Sequence, residues 1–146
     1  MENKKNFYID GKWVTPKGKE EIKVINPATE ENCAVISLGN KDDVDLAVNS
    51  ARKAYSSWSF STKEERIKLL EKLLSIYKKR YSEMVDAIST EMGAPMDWAT
   101  DVQTATGQSH LEDFILRLKE FKFDHQFDPK SNNHICLSVS CLACSY

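Results

Sequence analysis

The chain is short of the residue from which nucleotide-binding loops are made. Its five glycines are Gly11, Gly18, Gly39, Gly93 and Gly107, and no two stand closer than seven residues. A dinucleotide fingerprint needs glycines two and three residues apart, and a Walker loop needs two glycines five apart. Neither spacing occurs, so no glycine-rich phosphate cradle is predicted within these 146 residues. Histidine is as sparse. His110, His125 and His134 lie 15 and 9 residues apart, which excludes an HExxH zinc pair. No apolar run reaches 18 residues and mean hydropathy is −0.49, so no membrane-spanning helix is expected. Surplus charge is missing too. Lys and Arg number 20 against 22 Asp and Glu, which excludes a nucleic-acid binder held by a basic face. The lysines of Met1–Asn6 have no apolar stretch behind them, so no secretory leader is expected. Glu2 excludes a myristoylation signal, and Cys144 sits one place too late for a prenylation box. The expected location is the cytoplasm, with thiols reduced.

What is present, at 41% apolar and 29% charged, reads as one ordinary domain with a modest core. Residues 7–14, Phe-Tyr-Ile-Asp-Gly-Lys-Trp-Val, read as a β-hairpin about a primed Asp10-Gly11 turn. Glu21–Ile25 reads as a strand stopped by Asn26-Pro27, and Cys33–Leu38 as another closed by Gly39-Asn40. From Asp42 the apolar period changes to that of a helix. Val44, Ala47, Val48, Ala51, Tyr55 and Trp58 form one stripe, and Asn40 or Asp42 is placed to cap it. Ser61 with Glu64 and Thr62 with Glu65 are overlapping capping-box pairs. They open a second helix striped by Ile67, Leu70, Leu74, Tyr77, Tyr81, Val85 and Ile88, ending at Gly93 with Pro95 beyond. Unbroken from Thr62 to Met92, it would be on the order of 45 Å long. Its charged opposite face reads as solvated. A third helix is predicted from Met96 to about Phe121, with Val102, Ala105, Thr106, Ser109, Phe114, Ile115, Leu118 and Phe121 as its stripe. Gly107 inside it reads as a point of close packing that costs roughly 1 kcal/mol against alanine.

These signals, in this order, resemble the opening of the aldehyde dehydrogenase superfamily. The resemblance is carried by Phe7–Val14, by Val24-Ile25-Asn26-Pro27-Ala28-Thr29-Glu30-Glu31, and by the segments 42–48 and 51–55. Trp58, Glu65-Arg66, Leu69-Leu70 and Glu91-Met92-Gly93-Ala94-Pro95 extend it, so that it covers about residues 7–123. It implies an α/β fold, here partial: mainly three α-helices with an N-terminal hairpin and short strands. Residues 7–123 would be the N-terminal part of a cofactor-binding domain. It also implies an NAD- or NADP-dependent oxidation of aldehydes to carboxylic acids. In the family a cysteine thiolate attacks the carbonyl, hydride passes to the nicotinamide, and a glutamate-activated water cleaves the thioester. Two lesser roles carry over to matching positions. The Val24 carbonyl and Glu91 would hold a monovalent cation, and Val102 and Thr106 would line the substrate tunnel.

The departures from the family decide the expectation. Cys33, Cys136, Cys141 and Cys144 lack the glycine- and glutamine-rich context of the family nucleophile. No Glu-Leu-Gly-Gly or Pro-Trp-Asn segment supplies the base or the oxyanion asparagine. No catalytic or cofactor-binding residue is therefore assigned, no cofactor is expected for this chain alone, and it is expected to be an inactive N-terminal fragment. Residues 124–146 lose the family pattern and hold three of the four cysteines, reading as an irregular Cys-rich tail from a frameshift, splice alternative or truncated gene. Two other readings stand beside this one. His134, Cys136, Cys141 and Cys144 number the four soft ligands of a small zinc site. Alternatively, the helices form an interaction module that docks on full-length subunits or on a second copy. With its covering sheet missing, the segment is expected to be marginally folded and prone to associate.

Overall fold

The computed structural model describes residues 2–123 of the chain. Five short strands come first: β1 (Glu2–Lys4), β2 (Phe7–Ile9), β3 (Lys12–Val14), β4 (Glu21–Ile25) and β5 (Asn32–Ser37). β2 and β3 are the expected hairpin. Asp10 and Gly11 both take positive φ, 53° and 73°, as a primed turn requires. Tyr8 and Trp13 face each other across it, with ring centroids 5.2 Å apart. β4 and β5 pair antiparallel, with a bulge at Val24/Ile25. β1, which the sequence reading does not include, adds parallel to the other side of β5. The β4–β5 turn is an Asx turn, in which the Asn26 side chain accepts from the Ala28 amide at 2.8 Å.

The helices follow: α1 (Lys41–Trp58), α2 (Lys63–Lys79), α3 (Tyr81–Met92), α4 (Met96–Trp98), a π-helical segment (Ala99–Thr104) and α5 (Ala105–Glu120). α1 is capped reciprocally by Asn40 and Asp43, and α2 by Thr62 and Glu65. Of the two overlapping boxes, the later one forms. α3 ends at Gly93 in the left-handed conformation, φ 66°, as predicted. No described helix is long and apolar enough to cross a membrane.

Two expectations for the helices need correction. The single helix from Thr62 to Met92 is broken at Arg80, whose φ/ψ of −105°/22° leaves the helical region. The Arg80 amide is shared between the Ile76 and Tyr77 carbonyls, so α2 closes tightly and α3 restarts at once. The predicted stripe is nevertheless the buried one: every member from Ile67 to Ile88 is buried or half-buried. The third helix has the right extent, but its predicted stripe holds only in part: Ala105, Ile115 and Leu118 are buried or half-buried, and its other members are exposed. Its inward residues are Ala99, Thr104, Gly107, Leu111, Ile115 and Leu118. The first step is five residues and the rest are three or four, because the π turn inserts one extra residue. Val102, Thr106 and Phe114 of the predicted stripe are exposed as a result.

α5 runs back along α2 and the π segment along α3. Lys78–Glu112 at 2.7 Å and Lys119–Glu71 at 2.8 Å flank the α2–α5 seam. As exposed pairs each is worth about 0–1 kcal/mol. Gly107 is a point of close packing in this seam, since an added Cβ would stand 2.5 Å from the Tyr77 hydroxyl. Among the described residues the buried apolar core is Ala34, Val85, Ala99 and Ile115. Large apolar side chains remain exposed on the elements from β2 onward, among them Val44, Val48 and Tyr55 on α1, Leu73 and Ile76 on α2, and Phe114 on α5.

Candidate functional site

One cleft of about 790 Å³ separates β5 from the successive helices α2 and α3. Cys33 and Ala34 form its strand wall, and Ile76, Arg80, Met84 and Glu91 belong to its helix wall. The walls meet where α3 ends. At Gly93 an added Cβ would stand 3.1 Å from the Ala28 amide nitrogen and 3.3 Å from Pro27, so only glycine lets the helix end reach the strand end. Arg80 and Glu83 occupy each other in a two-pronged contact of 2.7–3.1 Å. That hydrogen bonding holds the Glu83 carboxyl below its usual range and raises Arg80.

The end of α3, which carries Glu91, thereby meets the turn that follows Val24 and β4. Glu91 lies in the last turn of α3 and lines the cleft. Val24 lies at the β4 bulge, and its carbonyl accepts from the Cys33 thiol at 3.3 Å. When the Asn32 amide nitrogen faces inward, it also donates to Val24 and to Ala34, each at 3.1 Å. Among the described residues no group of three or more His, Cys, Asp or Glu is placed to hold a metal ion.

Val102 and Thr106 lie on the outward face of the π–α5 run, Val102 being 37% exposed. Thr106 donates its hydroxyl to the Val102 carbonyl at 2.7 Å, which ties the two together. On the opposite face the Tyr77 hydroxyl donates to the Thr104 carbonyl at 2.9 Å, and the Tyr81 hydroxyl to the Thr100 carbonyl at 2.6 Å. Burial raises the Tyr77 phenol above its ordinary value, and the neighbouring Tyr81 adds to this. The Thr104 side chain is fully buried, and its hydroxyl finds no partner among the described residues. Sequence reasoning placed both tyrosines in the core stripe but missed their hydroxyls, although spacing of four on one helical face was the available signal. It also missed Asp43, which is buried and accepts from the amides of Lys17 (2.8 Å), Gly18 (3.0 Å) and Asn40 (3.0 Å). Those bonds, Lys17's first, hold its carboxyl below the ordinary range.

The glycines bear on whether a nucleotide's phosphates fit here. Gly18, Gly39, Gly93 and Gly107 all face the chain's own atoms where a Cβ would stand, and Gly11 is at the tip of the hairpin. None borders an open cradle, so the described residues do not fit a pyrophosphate. His134, Cys136, Cys141 and Cys144 lie outside the described residues.

Comparison with known proteins gives one consistent result. A profile of the aldehyde dehydrogenase family matches residues 13–139. The chain is 42% identical over 125 residues to a 3-succinoylsemialdehyde-pyridine dehydrogenase of a Pseudomonas species, covering 85% of this chain and 26% of that one. It is 39% identical over 126 residues to a putative aldehyde dehydrogenase of Staphylococcus epidermidis, covering 86% and 26%. Among solved structures, an aldehyde dehydrogenase from Bartonella henselae superposes with a TM-score of 0.88 at 48% identity, covering 90% of this chain and 28% of that one. A mutant aldehyde dehydrogenase C from Pseudomonas syringae, crystallised with NAD+ and octanal, superposes with a TM-score of 0.82 at 35% identity, covering 85% and 26%. The chain spans about a quarter of the length of the curated relatives it matches.

Proposed function

The chain belongs to the aldehyde dehydrogenase family, and on that premise we propose that it is the N-terminal segment of an NAD(P)-dependent enzyme oxidising aldehydes to carboxylic acids. The observation that carries this reading is a family match over most of the chain against only a quarter of its relatives' length. Residues 7–123 are then part of the cofactor-binding domain; the family match runs on to residue 139, which leaves 140–146 beyond it. A neighbour crystallised with NAD+ and octanal supports both the cofactor and the substrate class. The nicotinamide cofactor accepts hydride when bound. The residues of this segment provide no cradle for it, so their part is scaffolding: capped helices, a strand pair, and outward apolar faces for further protein to cover. The segment is inactive alone. Turnover of NAD with a panel of aldehydes tests this on the purified chain. No reduction of NAD is expected, and measurable NADH formation overturns the reading.

Two roles within that enzyme follow. The Val24 carbonyl and Glu91 hold a monovalent cation, a reading supported by the Gly93–Pro27 contact that draws their two elements together. Val102 and Thr106 line the aldehyde passage, a reading supported by their shared outward face. The exposed stripe Val44, Val48 and Tyr55 on α1 favours one further reading, that the segment docks on full-length subunits of a relative. Co-expression with a tagged intact relative tests it: recovery of a stable complex is expected, and two species that purify apart remove it.

A further inference from the structure

Backbone of π geometry is rare and occurs mostly as a single turn inside an α-helix, so six residues of it in mid-helix raise the question of what holds them. In this chain the support is visible. An unbroken α-helix from Ala99 would repeat in steps of three and four. It would turn Thr106, His110, Asp113 and Arg117 toward α2, and the exposed Asp113–Arg117 pair, now 2.7 Å apart in water, would be driven into the seam. The extra residue avoids this. Its cost falls on the carbonyls around the wide turn, and two of them, Thr100 and Thr104, receive the Tyr81 and Tyr77 hydroxyls. The two rings brace one another edge to face at 6.3 Å. Gly107 leaves the gap into which the Tyr77 hydroxyl fits.

We infer that Tyr77 and Tyr81 are positioning residues: their hydroxyls hold the one-residue insertion in the Ala99–Thr104 turn and so set Val102 and Thr106 on the outward face. The assignment rests on the reading of that face as the wall of the aldehyde passage. It gives the passage its shape from the opposite side of the helix, through groups that never meet substrate.

The test uses thiol accessibility in the full 146-residue chain. Val102→Cys, Thr106→Cys and Thr104→Cys are made separately, alkylated with iodoacetamide and followed by peptide mass mapping. The outward positions are expected to react as free thiols. Position 104 is expected to react about tenfold slower or less, since a buried thiol waits for local opening. Adding Tyr77→Phe and Tyr81→Phe together is expected to erase most of that contrast while helicity persists. A contrast that survives both substitutions, or that is absent in the parent chain, overturns the assignment. Where the double variant instead loses its helical signal, deletion of Asp101 removes the inserted residue and is expected to restore it, because the inward face then continues in α register without the tyrosines. Failure of that rescue also overturns the assignment. The labelling reads geometry without substrate, so its failure leaves the aldehyde reading standing, and loss of the aldehyde reading leaves the labelling unchanged.

Discussion

The helical hairpin and the N-terminal layer hold themselves together by different means. In the helical part, α2 and α3 lie along the π–α5 run, and Val85, Ala99, Thr104 and Ile115 are buried between them. In the N-terminal part only Ala34 and Asp43 are buried among the described residues, and α1 meets the hairpin strand β2. The first region is organised by side-chain packing, which loses free energy steeply when a buried methyl group is removed. The second is organised by one carboxylate gathering three amides from two loops. The difference teaches that a segment can have native local structure everywhere and still own a core in only one half.

Four substitutions probe this contrast. Ile115→Ala carries the largest expected effect, a loss of about 3 kcal/mol read by denaturant unfolding at the helical signal. Hydrogen exchange in β2–β3 is expected to stay unchanged, and a parallel rise there would make the two regions one cooperative unit. Asp43→Ala comes next and acts on the other half. The Lys17, Gly18 and Asn40 amides lose their acceptor, and their exchange is expected to quicken on the order of tenfold or more, with α5 unaffected. Acid sharpens the same point. Because the folded Asp43 carboxyl titrates below its unfolded value, its contribution is complete above the ordinary carboxylate pKa and fades as pH falls through the folded one. The N-terminal layer is thus expected to loosen first in an acid titration followed by exchange. Gly107→Ala gains roughly 1 kcal/mol of helix propensity but drives a Cβ against the Tyr77 hydroxyl. A net loss of about 1 kcal/mol is expected in the helical melt, reduced when Tyr77→Phe is added. The smallest is Lys41→Ala. It removes the exposed contact to Asp45 and is expected to shift stability by under about 0.5 kcal/mol in either region.

Much of this was legible in the sequence where one local signal acted alone. The Asp10-Gly11 turn, the Thr62–Glu65 box and the Gly93 terminus are set by backbone sterics and caps within a few residues, and each appears where expected. The break at Arg80 has no such signal, because neither glycine nor proline marks it. Val102, Thr106 and Phe114 on the third helix were misread for a related reason, while Ile115 and Leu118 were read correctly. Periodicity assumes a constant rise and turn, and an inserted residue shifts every later position by about 100°. For the proposed cation site, the strand end after Val24 and the helix end after Glu91 were legible in the motifs around them. The long-range bonds of Tyr77, Tyr81 and Asp43 reach backbone groups 19 to 27 residues away, which a single chain read in order does not reveal, although the tyrosines' spacing and the Asn40–Asp43 box are local signals.

The close approach of Gly93 to Pro27 and Ala28 has a mechanical consequence. It fastens the strand wall and the helix wall at one end of the cleft, as a spine fastens two covers. Any yielding between them takes the form of a wedge whose apex stays at that point while the mouth near Ile76 widens. A bulkier residue at the apex would prop the covers apart along their whole length, and with them everything that rests on either one.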